Sequence, residues 1–186
     1  MRETRVEYLP SCVCLMLCLS ATLIPVSVFE YSTQAGSTTV SISPQFITAS
    51  VGQSFSINID ISNVTDLYGW EFKLGWNASL LEETNTVEGS FLKAGGHTFF
   101  SYNGSTGEDV VVDCALVGLI PGVSGDGTLA TVTFYAKGAG ECSLHLYYVT
   151  LLNSFELPID CTTVDGFGKF TSSIDCGSGG KMPYMQ

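Results

Sequence analysis

Polar and apolar residues alternate along most of this chain with a period of two. In Phe55-Ser56-Ile57-Asn58-Ile59-Asp60-Ile61-Ser62 every odd position is apolar and every even one polar. That is the pattern of a strand with one face in a core and the other in water. Trp70-Glu71-Phe72-Lys73-Leu74-Gly75-Trp76 repeats it, with both tryptophans, Phe72 and Leu74 on the inner side. Shorter runs at 40–42 and 47–51 are divided by Pro44, and further strands are predicted at 97–102, 110–117, 129–136, 142–151 and 164–170. Only 80–84 and 90–94 have the character of a helical turn, and no long 3.6-residue period competes.

The breaks carry turn chemistry: Val51-Gly52-Gln53, Asn103-Gly104, the glycine-rich stretch 122–127, Gly138-Ala139-Gly140 and Asp165-Gly166. A phosphate cradle at 122–127 would need a helix after it, with a Lys-Ser or Lys-Thr pair. Gly127 instead leads into Thr128-Leu129-Ala130-Thr131-Val132-Thr133-Phe134-Tyr135, a strand pattern, so these glycines are turn residues. Roughly eight or nine strands with regular turn signals predict an all-β fold, a two-sheet antiparallel sandwich.

Composition narrows the class of partner. Among 186 residues, 7 Lys and Arg stand against 18 Asp and Glu, a formal charge of −11. Such a surface repels phosphate backbones and anionic lipid heads, which argues against a nucleic-acid partner. Met1-Arg2-Glu3-Thr4-Arg5 precedes an apolar run over 12–29, so residues 1–30 read as a secretory signal or a retained N-terminal anchor. Residues 31–37 read as a flexible linker, 38–171 as the folded module and 172–186 as a Gly/Ser-containing tail. A secreted or cell-surface protein is expected, with membrane contact only through that anchor.

Cysteine usage agrees with export. Cys12, Cys14 and Cys18 lie in the signal, leaving Cys114, Cys142, Cys161 and Cys176. They are too widely spaced for a metal knuckle, and one or two disulfides are expected among them, with all three pairings open. A bridge from Cys142 to Cys161 would contribute about 3 kcal/mol in the chain-entropy account; a buried free thiol at Cys114 is the alternative. Asn63-Val64-Thr65, Asn77-Ala78-Ser79 and Asn103-Gly104-Ser105 are candidate glycosylation sequons at Asn63, Asn77 and Asn103.

The order of pieces resembles the cohesin modules of cellulosome scaffolds. Val51-Gly52-Gln53-Ser54-Phe55, Ile57-Asn58-Ile59 and Asn63-Val64 look like the family's opening hairpin. Leu67-Tyr68-Gly69-Trp70-Glu71-Phe72-Lys73-Leu74 and Trp76-Asn77-Ala78-Ser79-Leu80-Leu81-Glu82 resemble its central strand and following turn, with Asn77 and Ala78 in place of the usual Asp and Pro. Gly127-Thr128-Leu129-Ala130-Thr131-Val132-Thr133-Phe134 is the most telling match. Val149-Thr150-Leu151-Leu152-Asn153-Ser154, Pro158-Ile159 and Val164-Asp165-Gly166 resemble the closing strands. The four mature cysteines depart from the family pattern.

The resemblance implies a nine-stranded jelly roll without catalysis that grips a dockerin, a small calcium-loaded module, across its third, fifth, sixth and eighth strands. Calcium is then expected on the dockerin partner, and no cofactor or metal on this chain. Strand parity places Gly69, Glu71 and Lys73 outward on the third strand, Asp113 and Ala115 on the sixth, and Ser143, His145 and Tyr147 on the eighth.

No catalytic constellation stands out. His97 and His145 sit in no nucleophile or metal motif, and Glu82-Glu83 and Glu108-Asp109 are neighbouring acids on turns, not a pair across a cleft. The rival to protein docking is direct polysaccharide binding through Tyr68, Tyr102, Tyr135, Tyr147 and Tyr148. A coplanar row of three exposed tyrosines would mark a glycan site, and a broad mixed face a protein site. A structural cell-surface spacer is the third reading.

Overall fold

The computed structural model describes residues 36–172. Ten strands follow one another: β1 (Thr39–Ser43), β2 (Phe46–Ser50), β3 (Ser54–Gly75), β4 (Leu81–Glu88), β5 (Thr98–Ser105), β6 (Asp109–Leu116), β7 (Val123–Ala136), β8 (Gly140–Asn153), β9 (Thr162–Val164) and β10 (Gly166–Thr171). They form an all-β sandwich of two walls.

One strand serves both walls. The first half of β3 pairs with β1 and β7, and its second half with β6 and β8. Between them the register slips, and Asn63 and Asp66 take φ of 55° and 59°. Asn and Asp tolerate this left-handed conformation better than other side-chain-bearing residues. Both ends of β3 return to one end of the sandwich, since Phe55 and Trp76 each pack on Phe134, at ring distances of 5.8 and 5.0 Å. One wall runs β9-β1-β3-β7-β4 and the other β2-β10-β8-β3-β6-β5.

The two-residue period fills the space between the walls. Ile57, Ile59, Val132 and Phe134 point in from one side; Phe72, Leu74, Val112, Leu144 and Leu146 meet them from the other, all buried. Each such burial contributes about 1.5–3 kcal/mol against exposure. Trp70 and Trp76 are core residues, 4% and 8% exposed.

Several expectations need correction. The stretch 80–84 is no helical turn: Leu81 begins β4, drawn into an edge strand by pairing along β7 from Ala136 to Ala130. Only the second such stretch coils, as a 3-10 turn at Leu92–Ala94. The sandwich is not wholly antiparallel, because β1 pairs parallel with β9 and β2 with β10. The chain divides its first two strands between the walls, and its last two return through the body of the module to pair beside them, a crossover that permits parallel pairing.

The disulfide expectation also fails among the described residues, where Cys114, Cys142 and Cys161 are free thiols. Cys114 on β6 and Cys142 on β8 are separated by β3. Two strand spacings, about 10 Å, exceed the roughly 7 Å that a bridge tolerates. Cys176, the segments 1–30 and 31–35, and the tail beyond Ser172 lie outside the described residues.

Candidate functional site

The outer surface of β8, β3, β6 and β5 is organised in rows that follow the pairing register. The first row is apolar: Leu152 opposes Gly69, Gly69 opposes Ala115, and Ala115 opposes Phe99. The second is acidic and hydroxylic, running Thr150, Glu71, Asp113 and Ser101. A third joins Tyr147, Lys73 and Val111, and a fourth His145, Gly75 and Asp109. Ser143 continues the surface along β8 and pairs with Phe167 of β10, which in turn opposes Phe46 of β2.

All eight residues singled out by parity stand on this wall. Glu71, Ser143 and His145 are exposed; Lys73, Asp113, Ala115 and Tyr147 are half-buried; Gly69 is buried by its neighbours. Sequence reading missed Phe99, Ser101, Thr150 and Leu152. Phe99 was reachable from the parity of β5, because Phe100 and Phe99 cannot both face inward. Thr150 and Leu152 were not, since β8 is bulged. Tyr147 pairs with Lys73 but Thr150 with Glu71, so three residues of β8 span two of β3, and Tyr148 takes φ of 51°. The bulge inverts inside and outside beyond it.

The lower rows are electrostatically closed. Asp109 pairs with Lys73 Nζ at 3.2 Å and accepts hydrogen bonds from Tyr147 (2.7 Å) and Thr106 (2.5 Å). The Thr106 and Tyr147 hydroxyls, then Lys73, hold the Asp109 carboxyl down to about 2. The hydrogen bond to Asp109 raises the Lys73 ammonium in turn, and the same carboxylate raises Tyr147. Lys73 also lies 5.4 Å from the centre of the Tyr147 ring, and His145 stacks on Tyr147 at 5.7 Å while bonding Asp165.

The second row is open. Glu71 and Asp113 face each other across β3 and β6, and among the described residues neither has a hydrogen-bonding or ionic partner. Like charges placed opposite each other in a sheet are destabilising. They border a shallow depression of about 210 Å³ floored by Gly69 and Ala115 and edged by Thr150 and Leu152. Phe99, 66% exposed, stands on the far side.

The tyrosines do not gather into a platform. Tyr68 donates to the Gly118 carbonyl, Tyr102 to Glu83, and Tyr135 lies on the opposite wall. Tyr147 and Tyr148 are neighbours, but their rings are tilted by 58°. The adjacent acids noted in the sequence are separately committed, Glu83 to Tyr102 and Thr86, and Asp109 to Lys73. Asn63, Asn77 and Asn103 are all exposed. Cys114 is buried, its thiol pushed up to about 12 by desolvation and then by Glu88, so it is a poor nucleophile at neutral pH.

A jelly-roll sandwich with one broad wall of mixed chemistry defines a class of β modules. Within that class the chain belongs to the cohesin family: the Cohesin domain model matches residues 40–166. Solved cohesins share the fold. A non-cellulosomal cohesin from the archaeon Archaeoglobus fulgidus is 20% identical, with TM-score 0.63 over 73% of this chain and 92% of that one. A type I cohesin–dockerin complex from Clostridium thermocellum gives 15% identity and TM-score 0.63 over 73% and 94%. CaCohA2 from Clostridium acetobutylicum gives 18% and 0.61 over 73% and 91%. No curated protein sequence matches significantly.

Proposed function

We propose that this chain is a non-catalytic extracellular docking module whose β8-β3-β6-β5 wall holds a dockerin-bearing protein of a polysaccharide-degrading assembly. One observation carries the reading: an uncompensated Glu71–Asp113 pair beside a small-residue trough, on a wall whose other charges are matched. A face that leaves like charges opposed gains by receiving a cation, and a floor of Gly69 and Ala115 admits close approach. The walls of the trough, Leu152 and Phe99, stand three strand spacings apart, about 14 Å. A helix about 10–12 Å across fits between them, and solved relatives of this family include complexes with dockerins. The calcium such a partner carries belongs to the partner. The N-terminal apolar run and the hydroxyl-rich surface support the extracellular setting.

The test is titration of the full chain against a panel of recombinant dockerin modules, with calcium and with EDTA, beside insoluble cellulose and chitin. Calcium-dependent capture of a dockerin, lost in Glu71→Lys/Asp113→Lys, is expected. Retention on polysaccharide with no dockerin captured would replace this reading by direct glycan binding; silence in both assays would leave a structural spacer.

A further inference from the structure

Among the described residues, β9 and β4 are the edge strands of one wall and β2 and β5 those of the other. A strand edge offers unpaired amides and carbonyls to another chain, and folded proteins blunt it with charge, bulges or short length. Three of these edges are blunted. β9 has only three residues. β4 carries Glu82, Glu83 and Glu88 and slips register between Glu83 and Asn85. β5 slips register before Ser105, and its Tyr102 reaches to Glu83 of β4 (2.6 Å), closing that side of the sandwich. β2, Phe46-Ile47-Thr48-Ala49-Ser50, has no charge, no proline and no bulge.

The β2 backbone is open on one side. Gln45 accepts from the Phe167 amide (2.8 Å) and the Val51 amide donates to Thr171 (2.9 Å), so odd-numbered positions turn toward β10. Backbone direction alternates along a strand, and Phe46, Thr48 and Ser50 therefore turn away from β10. Among the described residues nothing bonds the Thr48 amide, the Thr48 carbonyl or the Ser50 amide.

This edge is complementary to itself. Laid antiparallel on a second copy about a twofold axis at Thr48, it sets Thr48 opposite Thr48 and Phe46 opposite Ser50. The open backbone groups of both copies then face one another as hydrogen-bonding pairs. Side chains match in the same register. Phe46 is 73% exposed, and a groove of about 440 Å³, lined in part by Thr48, Ser50, Gln53 and Phe55, lies at the other end of the strand. The twofold places each Phe46 against the other copy's groove. Charge also favours this patch for the meeting of two acidic chains. No charged residue occurs from Gly36 to Ile59, and Lys169, opposite Thr48, is neutralised by Glu141 at 3.0 Å.

We infer that β2 is a self-pairing edge through which two copies of this chain join, antiparallel at Thr48, into one continuous sheet. The contact engages about five strand residues a side, well short of the roughly 20–30 of a standard stable interface, so the dimer is weak and concentration-dependent. The axis stands perpendicular to the sheet, and both outer walls therefore face the same way. β3 and its counterpart lie seven strand spacings apart, about 34 Å. On the docking reading above this makes one surface with two troughs; the pairing itself does not rest on that reading.

Sedimentation of the full chain, with no dockerin present, tests the pairing over the micromolar-to-millimolar range. A reversible monomer–dimer equilibrium is expected. Thr48→Lys or Thr48→Glu sets like charges on the axis and should weaken the dimer about tenfold or more. An equimolar mixture of these two variants should associate more tightly than either alone, because the axis then joins opposite charges. Phe46→Ala should weaken the dimer several-fold. Phe46 and Thr48 are both exposed, so each variant is expected to keep the parent's circular dichroism and melting temperature. A chain that stays monomeric over the whole range overturns the inference. So does association that Thr48→Lys and Phe46→Ala leave unchanged, or a mixture of the two charged variants that associates no better than either.

Discussion

The two outer walls of this sandwich are built from similar residues and end in opposite states. On the β9-β1-β3-β7-β4 side, polar groups find one another across the strands. Ser56 meets Thr133 at 2.9 Å, Thr131 donates to Asn58 at 2.9 Å, Thr128 to Asp60 at 2.7 Å, and Thr39 meets Thr162 at 3.0 Å. On the β8-β3-β6-β5 side, one row sets glutamate opposite aspartate, and the row beside it is apolar. The first wall is complete with water alone. The second is left with opposed carboxylates and exposed apolar surface, which a partner supplying a cation and an apolar face would relieve. A wall's composition says little here; the pairing of its residues separates a finished surface from a receptive one.

The contrast between the walls breaks most severely if the layer they share is removed. Phe134 is fully buried and touches Phe55 and Trp76. Phe134→Ala is expected to cost about 3–5 kcal/mol, read by urea denaturation, and to abolish dockerin capture with the fold. A sharper test fills the trough and spares the core. A Cβ added at Gly69 would meet Ala115 Cβ at 3.5 Å, an ordinary contact. Gly69→Leu should therefore keep its melting temperature within a few degrees while weakening partner binding by about 2 kcal/mol or more, as a central interface residue does. Equal binding by the variant would show that the trough is not where a partner sits.

Acid acts on the β8-β3-β6-β5 wall through Asp109. The Asp109 carboxyl is held below its unfolded value by Thr106, Tyr147 and Lys73. Its contribution is therefore present above the ordinary carboxylate range, near pH 4, and is lost as pH falls toward about 2. Asp109→Asn should flatten that part of the melting-temperature profile, and a profile identical to the parent would refute the network. The smallest effect belongs to the finished wall. Ser56→Ala removes an exposed hydroxyl pair and should shift stability by no more than about 0.5 kcal/mol, with dockerin affinity unchanged by calorimetry.

The odd–even pattern located most strands, because inside and outside alternate wherever one face meets a core. On β3 and β6 the side chains of Glu71, Lys73, Asp113 and Ala115 lie on the outer side that parity assigned, since neither strand is bulged along that stretch of their pairing, while Gly69 is buried by its neighbours. β4 was illegible: in Leu81-Glu82-Glu83-Thr84-Asn85 only the first residue is apolar, and its strand conformation comes from β7. The expectation of bridges came from an even number of cysteines in a chain read as exported, and sequence carries no lateral distance to show that β3 lies between Cys114 and Cys142.

The amino-acid sequence alone determined that this chain folds as a β-sandwich, which side of each regular strand faces the core, and that its surface is acidic and rich in hydroxyls. Those properties follow from local periodicity and composition. Tertiary structure decided which outward residues become neighbours: that Glu71 would face Asp113, that a bulge in β8 would carry Thr150 and Leu152 outward beside Gly69, and that Phe99 would close the row. Register between strands distant in the chain is set by packing of the whole module, and no short stretch of sequence contains it.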